Sequence, residues 1–259
     1  MNKRDSRNPN GHETSASENV WHPRKMQGVA RSITKAGYAS RPQAEAMVEA
    51  GRVRVDGQLV TDPGTPVGPN NTISLDGQPL LEINRRYFAF HKPIKTVTST
   101  SDRGGRRHVK EFFPSEIPGL RPAGRLDANT SGLILVSNDH IWNSFAASST
   151  GLEKEYFIQI HGQLREVEIS IITAGVHLPK LGFIRPTLLE VINADQASTD
   201  LKLVVVDGKN RQVRRIFSSL RHDVSILRRV RIGPVKLGSL PSGRLRGLTP
   251  DEITGIREP

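Results

Sequence analysis

The sequence predicts an α+β protein in two parts, a small helix-and-hairpin module followed by a larger domain built on a sheet. Three observations carry that reading. Segments with strand patterning recur at 86–93, 133–136, 154–160, 188–192, 201–206 and 227–234, with helical patterning between some of them. Ahead of these, residues 28–57 run as two short helical patterns and a turn at Asp56-Gly57. Charge, finally, is spread unevenly: residues 202–246 hold twelve Lys or Arg against two Asp, most of the formal +11 of the 259-residue chain.

A surplus confined to one stretch reads as a binding surface, and the partner that suits it is a polyanion, most simply nucleic acid. Cysteine is absent, which excludes disulfides and thiolate metal sites and fits a reducing compartment, so a cytoplasmic location is expected. No apolar run approaches the roughly 18 residues of a membrane helix, so no membrane partner is expected. A hydrophobic content of 36% is low for a chain compact throughout, so part of the length is expected as tail or linker.

Residues 1–25 are polar and lack an apolar period, and a disordered tail is expected there. The module spans 26–75. Val29, Ala30, Ile33 and Ala36 share one helix face, and Gly37 is placed to end that helix. Ser40 is a good N-cap for a second helix, with Pro42 in its first turn, Gln43 at the capping-box position, and Ala44, Met47 and Val48 as its stripe. Gly51 stops it, and Arg52-Val53-Arg54-Val55-Asp56-Gly57 alternates into a hairpin. Two helices followed by Gly-Arg-Val-x-Val-Asp-Gly resemble the RNA-binding fold named after small-subunit ribosomal protein four. That resemblance implies phosphate contacts from Arg31, Lys35, Arg41, Arg52 and Arg54. Against it, residues 27–84 carry one more acid than base, so any basic face is local, and an inert helical cap is the plain alternative. A linker is expected at 76–84.

The larger domain is expected over 85–252, with a short tail at 253–259. Arg86 to Pro93 opens it as a strand, and Asp102 to His108 is a basic loop. Val109 to Phe113 suggests a helical turn. The centre is Gly124-Arg125-Leu126-Asp127-Ala128-Asn129-Thr130-Ser131-Gly132, followed by the apolar run Leu133 to Val136. The run reads as a strand buried on both faces, which leaves Asp127 on a loop at its mouth. From the residues alone Asp127 is equally a carboxylate that caps turn N–H groups. His140 to Ala147 suits a short helix packed through Trp142 and Phe145. Lys154 to Ile160 alternates, with Tyr156, Ile158 and Ile160 on one face. Leu164 to Gly175 reads as helix. Val213, Ile216, Phe217 and Leu220 stand at i, i+3, i+4 and i+7, which leaves Arg211, Arg214 and Arg215 off the buried stripe.

Gly-Arg-Leu-Asp-x-x-Thr-x-Gly with its apolar run and Ser-Asn, together with Asp207-Gly208-Lys209-Asn210-Arg211-Gln212-Val213-Arg214-Arg215, resembles one family of ribosomal RNA pseudouridine synthases. The resemblance covers 28–252 and implies a mixed, mainly antiparallel sheet with flanking helices. It implies that Asp127 is the catalytic carboxylate, that Tyr156 of Lys-x-Tyr stacks on the target base, and that Arg214 pairs with Asp127. For Tyr156 the alternative is a core tyrosine with a satisfied hydroxyl. Lys92, Arg125, Arg211, Arg215, Arg228, Arg229 and Arg231 are expected as further RNA contacts, a solvated charged face being the alternative for the helix arginines. The family pattern has Gly where Lys95 and His140 stand here, and His140 is given no role.

Such an enzyme breaks the C1′–N1 bond of a uridine that has left its stack, turns the base, and joins C1′ to C5. Nothing is oxidised or reduced, so no cofactor or metal is expected, in keeping with a chain that lacks phosphate-loop, dinucleotide and clustered ligand motifs. Addition of Asp127 to the base, addition to the ribose, and removal of a sugar proton all remain open. The partner implied is ribosomal RNA, free or in a pre-ribosomal particle, met by a monomer. A non-catalytic RNA-binding or assembly protein would need the basic stretch but not Asp127, Tyr156 and Arg214 together. A metal-dependent nuclease would need clustered carboxylates, and only Asp127 stands in a recognisable motif.

Overall fold

The computed structural model describes residues 20–39, 41–81, 84–99, 104–147 and 151–257. The tail expected at 1–19, the N-cap expected at Ser40, and Asp102 and Arg103 of the basic loop lie outside those residues. The chain divides into two compact units, Met1–Asn84 and Arg85–Pro259.

In the first unit β1 (Gln27–Gly28) leads into α1 (Val29–Ala36), whose buried face is Val29, Ala30, Ile33 and Ala36, as the apolar period requires. Gly37 ends the helix in the left-handed region at φ 92°, and its N–H meets the carbonyls of Ile33 and Thr34. Next, α2 (Arg41–Glu49) buries Ala44 and Val48. Asp56-Gly57 and Asp76-Gly77 both turn with positive φ. They fold β2 (Val53–Val55) onto β3 (Gln58–Val60), and β5 (Ile73–Leu75) onto β6 (Gln78–Pro79), in the order β3-β2-β5-β6. Between the hairpins, β4 (Pro66–Val67) pairs with β1. Two boundaries differ from expectation. Trp21 is buried and gives its N–H to the Leu80 carbonyl at 2.7 Å, so residues 20–25 belong to this unit and not to a tail. Leu80 is fully buried in the same core, so most of the expected linker is a second Asp-Gly hairpin.

The second unit runs β7 (Tyr87–Lys92), a 3-10 turn (Val109–Phe112), β8 (Arg121–Ala123), β9 (Ser131–Ser137), α3 (His140–Ala147), β10 (Lys154–His161) and α4 (Glu166–Ala174). It continues through β11 (Val176–Leu178), β12 (Gly182–Ile184), β13 (Leu188–Ala194), β14 (Ser198–Val205) and α5 (Gln212–Ser219). It closes with β15 (Val224–Ile232), β16 (Val235–Lys236), β17 (Leu245–Gly247) and α6 (Pro250–Arg257). The main sheet has the order β13-β14-β10-β15-β9-β7-β17, with β16 beside β15 and β8 beside β9. Its described pairs are antiparallel except β9 with β15.

All seven residues of β9 are buried. Ile134 and Val136 face a core shared with Ile158, Ile160 and the Val213, Ile216 and Phe217 stripe of α5. Leu133 and Leu135 face the other core, shared with Trp142 and Ile256. That two-sided burial is what an unbroken apolar run between turn signals encodes.

The 253–259 tail is a correction, because most of it is α6. Thr249 and Glu252 cap each other reciprocally, with Glu252 N–H to Thr249 Oγ1 at 3.2 Å and Thr249 N–H to Glu252 Oε2 at 3.0 Å. Pro250 stands at the first helical position, where its missing N–H is harmless. Ile256 is buried, and Trp142 Nε1 donates to the Ile253 carbonyl at 3.0 Å. Trp142 packs fully, whereas Phe145, expected beside it as a packing group, is exposed.

Candidate active site

The frame of the site is the contact between β9 and β15, where Ser131 faces Arg228 and Gly132 faces Arg229. Gly132 has φ +106°, and a Cβ there would collide with the Arg229 backbone, so only glycine lets the two strands meet. Immediately before β9, the loop 124–130 is tied down through its carbonyls. Thr98 Oγ1 donates to the Leu126 carbonyl at 2.7 Å, the Lys95 N–H to that of Ala128 at 2.8 Å, and Arg214 Nη2 to that of Asn129 at 2.8 Å. Two segments distant in sequence, 95–98 and α5, thus hold three peptide groups of this loop.

Asp127 therefore sits on a fixed loop with its side chain about a third exposed. Its backbone carbonyl accepts the Thr130 N–H at 3.0 Å, but its carboxylate caps no N–H among the described residues. The turn-capping alternative thus finds no contact. The carboxylate meets Arg211 Nη1 at 3.3 Å. This corrects the pairing expected of Arg214, which gives Nη1 to the Val224 carbonyl at 2.9 Å and Nη2 to that of Asn129. Burial, and after it the charge of Arg211, lower the Arg214 pKa, while Asp127 opposes them. Arg214 thus buttresses the loop, and the ion pair belongs to the residue at the N-cap of α5.

Asp127 opens on a cavity of about 270 Å³, near the lower end of small-ligand pockets at about 300–1,000 Å³. Arg125 and Thr130 line it from the loop, Tyr156 from β10, Asp207 to Arg211 from the turn before α5, and Leu227 and Arg229 from β15. Tyr156 is buried, packs into the core through its ring, and makes no hydrogen bond through its hydroxyl among the described residues. An aromatic face beside a carboxylate in a small cavity suits a flat, flipped-out base.

The remaining expected RNA contacts separate into free and committed groups. On α1, Lys35 lies near Arg31 and near Lys25 of the preceding segment, and it is held below its ordinary pKa by partial burial, then by Arg31 and Lys25. Arg41 pairs with Glu45 at 2.9 Å, Arg52 with Asp76, and Arg54 with its own turn at the Gly57 carbonyl. Arg125 and Arg228 are exposed, and half-buried Arg215 reaches the Pro179 carbonyl at 3.4 Å.

Three expected contacts are corrected. Lys92 is fully buried, its Nζ donating to the carbonyls of Pro93, Thr96 and Ala128, and burial lowers its pKa to about 8 against the pull of Asp127. Arg231 is bound by Glu153 at 2.9 Å and Glu155 at 3.0 Å. Arg229 is buried in the cavity wall. The cross-strand acids were invisible in the sequence because they need the β10–β15 register, which sets Glu155 opposite Arg231.

The fold is that of the pseudouridine synthases: a crystal structure of a pseudouridylate synthase superposes with a TM-score of 0.62 at 27% identity, over 88% of this chain and 99% of that one. Residues 30–73 match the S4 domain family and residues 86–219 the RNA pseudouridylate synthase family. Ribosomal large subunit pseudouridine synthase B of Bacillus subtilis is 31% identical, over 90% of this chain and 96% of its own length. The protein of the same name from Vibrio cholerae is 32% identical, over 90% and 74%. The chain belongs to the RNA pseudouridylate synthase family, as an enzyme with an S4 domain ahead of its catalytic unit.

Proposed function

We propose that the protein converts specific uridines of ribosomal RNA to pseudouridine, as a monomer in the cytoplasm, on free RNA or on a pre-ribosomal particle. The observation that carries the site assignment is the Asp127 carboxylate at the mouth of a cavity walled by Tyr156. The names of two relatives direct the search for the target to large-subunit RNA. Residues 85–257 form the catalytic unit, and the S4 unit supplies RNA docking through Lys25, Arg31 and Lys35.

In the reaction the target uridine leaves its stack and enters the cavity, and Tyr156 holds the base by its face. The C1′–N1 bond opens, with Asp127 as the carboxylate that meets the electron-deficient ribose or base. Arg211 aims Asp127 through their ion pair at 3.3 Å. The base turns, C5 bonds to C1′, the C5 proton leaves, and N1 gains a proton. The balance closes with no outside reductant or energy source.

The test is Asp127→Asn, which keeps shape and removes the negative charge. Tritium release from ribosomal RNA labelled at uridine C5 should fall to background, while cooperative melting and RNA affinity are retained. Near-normal release by this variant would overturn the role of Asp127.

A further inference from the structure

Two side chains in the cavity wall hold donors that the protein does not use. Arg229 is 6% exposed, and its Nε is committed to the Leu133 carbonyl at 2.8 Å. Its Nη2 is buried without a partner among the described residues. Thr130, 2% exposed, likewise has a buried Oγ1 without a partner among the described residues. Both residues line the cavity beside Asp127, and the parallel register of Ser131 with Arg228 and Gly132 with Arg229 brings their strands together there. Buried donors are nearly always satisfied, and a guanidinium left short of an acceptor in a low-dielectric wall is a costly arrangement. Here the cost is increased, because Lys154, also buried, stands close enough to act on the same charge balance.

Resting on the pseudouridine synthase reading, we infer that Arg229 and Thr130 form the subsite that receives the carbonyl oxygens of the flipped uracil. The base supplies the missing acceptors. When C1′–N1 opens, its bonding pair stays on the ring and spreads onto those oxygens. Bonding of C5 to C1′, loss of the C5 proton and gain of a proton at N1 then return the ring to neutrality. A fixed cationic donor facing a carbonyl is stronger towards the charged ring than towards the neutral one, so it lowers the barrier more than it tightens binding. Arg229 is therefore assigned to bond breaking, and not to the RNA backbone. Thr130 is the second, neutral donor.

The experiment uses the full chain and single-turnover isomerisation of a ribosomal RNA transcript, read by chromatography of the digested nucleosides. Arg229→Gln should slow the step by about 10²–10³-fold, the usual loss for one such donor, with RNA affinity within about threefold of wild type. Thr130→Val removes an unpartnered buried hydroxyl, so it should leave melting unchanged or raise it while slowing turnover by about tenfold; a merely structural threonine would show no rate loss. A third arm needs no variant: transcripts carrying 2-thiouridine or 4-thiouridine replace one carbonyl oxygen with sulfur, a poorer acceptor. At least one should react about tenfold more slowly than uridine with wild type, and that penalty should vanish in Arg229→Gln if the variant folds. Rates within threefold of wild type for both variants, or for both thio-substituted transcripts, would overturn the subsite. A wild-type protein that isomerises no uridine at all would instead overturn the synthase reading, and the subsite with it.

Discussion

The first helix of the S4 unit and the wall of the catalytic cavity are both basic, but their charges are used differently. On α1, Arg31 and Lys35 have no acidic partner among the described residues, and Lys35 feels mainly burial and its like-charged neighbours. In the cavity wall, Arg211 is held by Asp127 and Arg229 by Leu133, and further along α5 Arg214 is held by two backbone carbonyls. On the outer part of β15, Arg231 is held by two glutamates. Unpaired, hydrated cations are ready to exchange counterions for phosphates. Cations bonded internally fix geometry. Counting Lys and Arg therefore overstates the RNA-binding surface of the catalytic unit, and local pairing sorts the two uses.

Breaking the internal clamps should have the largest effect. Arg214→Ala frees the Asn129 carbonyl and the loop that carries Asp127, and single-turnover rates should fall by about 10²-fold or more, the scale of a misplacement of about 1 Å. Arg211→Ala should lose about tenfold, since its pair with Asp127 is half-exposed and solvent partly replaces it. Equal losses would mean that aiming by Arg211 matters as much as anchoring by Arg214.

The free cations give the next effect. Replacing Lys25, Arg31 and Lys35 with Gln should lower the log–log salt slope of RNA binding by about 2–3, at about 0.7–0.9 per lost phosphate contact. Arg231→Gln should leave that slope unchanged and instead destabilise the unit by about 1 kcal/mol, since it strands two acids. If the slope changed in Arg231→Gln and not in the triple variant, the sorting would be reversed.

Lys92 gives the smallest and most diagnostic effect. At pH 7 it is protonated in both folded and unfolded chains, so the penalty of burying the charge is fully present. Between about 8 and its ordinary 10.5 the folded chain releases the proton first, and stability contributed by this group rises with pH. Unfolding free energies of wild type relative to Lys92→Met should therefore shift in favour of wild type by about 1 kcal/mol between pH 7 and 9. A flat difference would place Lys92 in contact with solvent.

Much of this architecture was legible in the chain because it is local. The α1 stripe, the two-sided burial of β9, the alternation of β10 and the α5 stripe all follow from side-chain period. Asp127 and Tyr156 reach one cavity, as the paired motifs suggested. What escaped was non-local or was a local signal passed over. Arg211 and Arg214 are three apart on one turn, and which of them reaches a carboxylate 84 or more positions away depends on the approach of α5, not on its sequence. Lys92 looks like any surface lysine until three carbonyls converge on its Nζ. By contrast, Thr249-Pro250-Asp251-Glu252 is a plain helix start and Asp76-Gly77 a plain hairpin, and both were legible where a tail and a linker were expected.

The sheet order places β15 between β9 and β10, although both of those precede it in the chain. In a polypeptide emerging from its N-terminal end, the loop bearing Asp127 and the strand bearing Tyr156 are made first, and neither β9 nor β10 can yet pair with β15. Their facing edges wait open through some sixty further residues, the kind of exposed pairing surface that slows folding and invites chaperone capture. Insertion of β15 then unites them and supplies Arg229 in the same event. Catalytic competence is thus switched on by the last long strand to be synthesised, and a nascent chain halted before it has a fold in progress but nowhere to put a uridine.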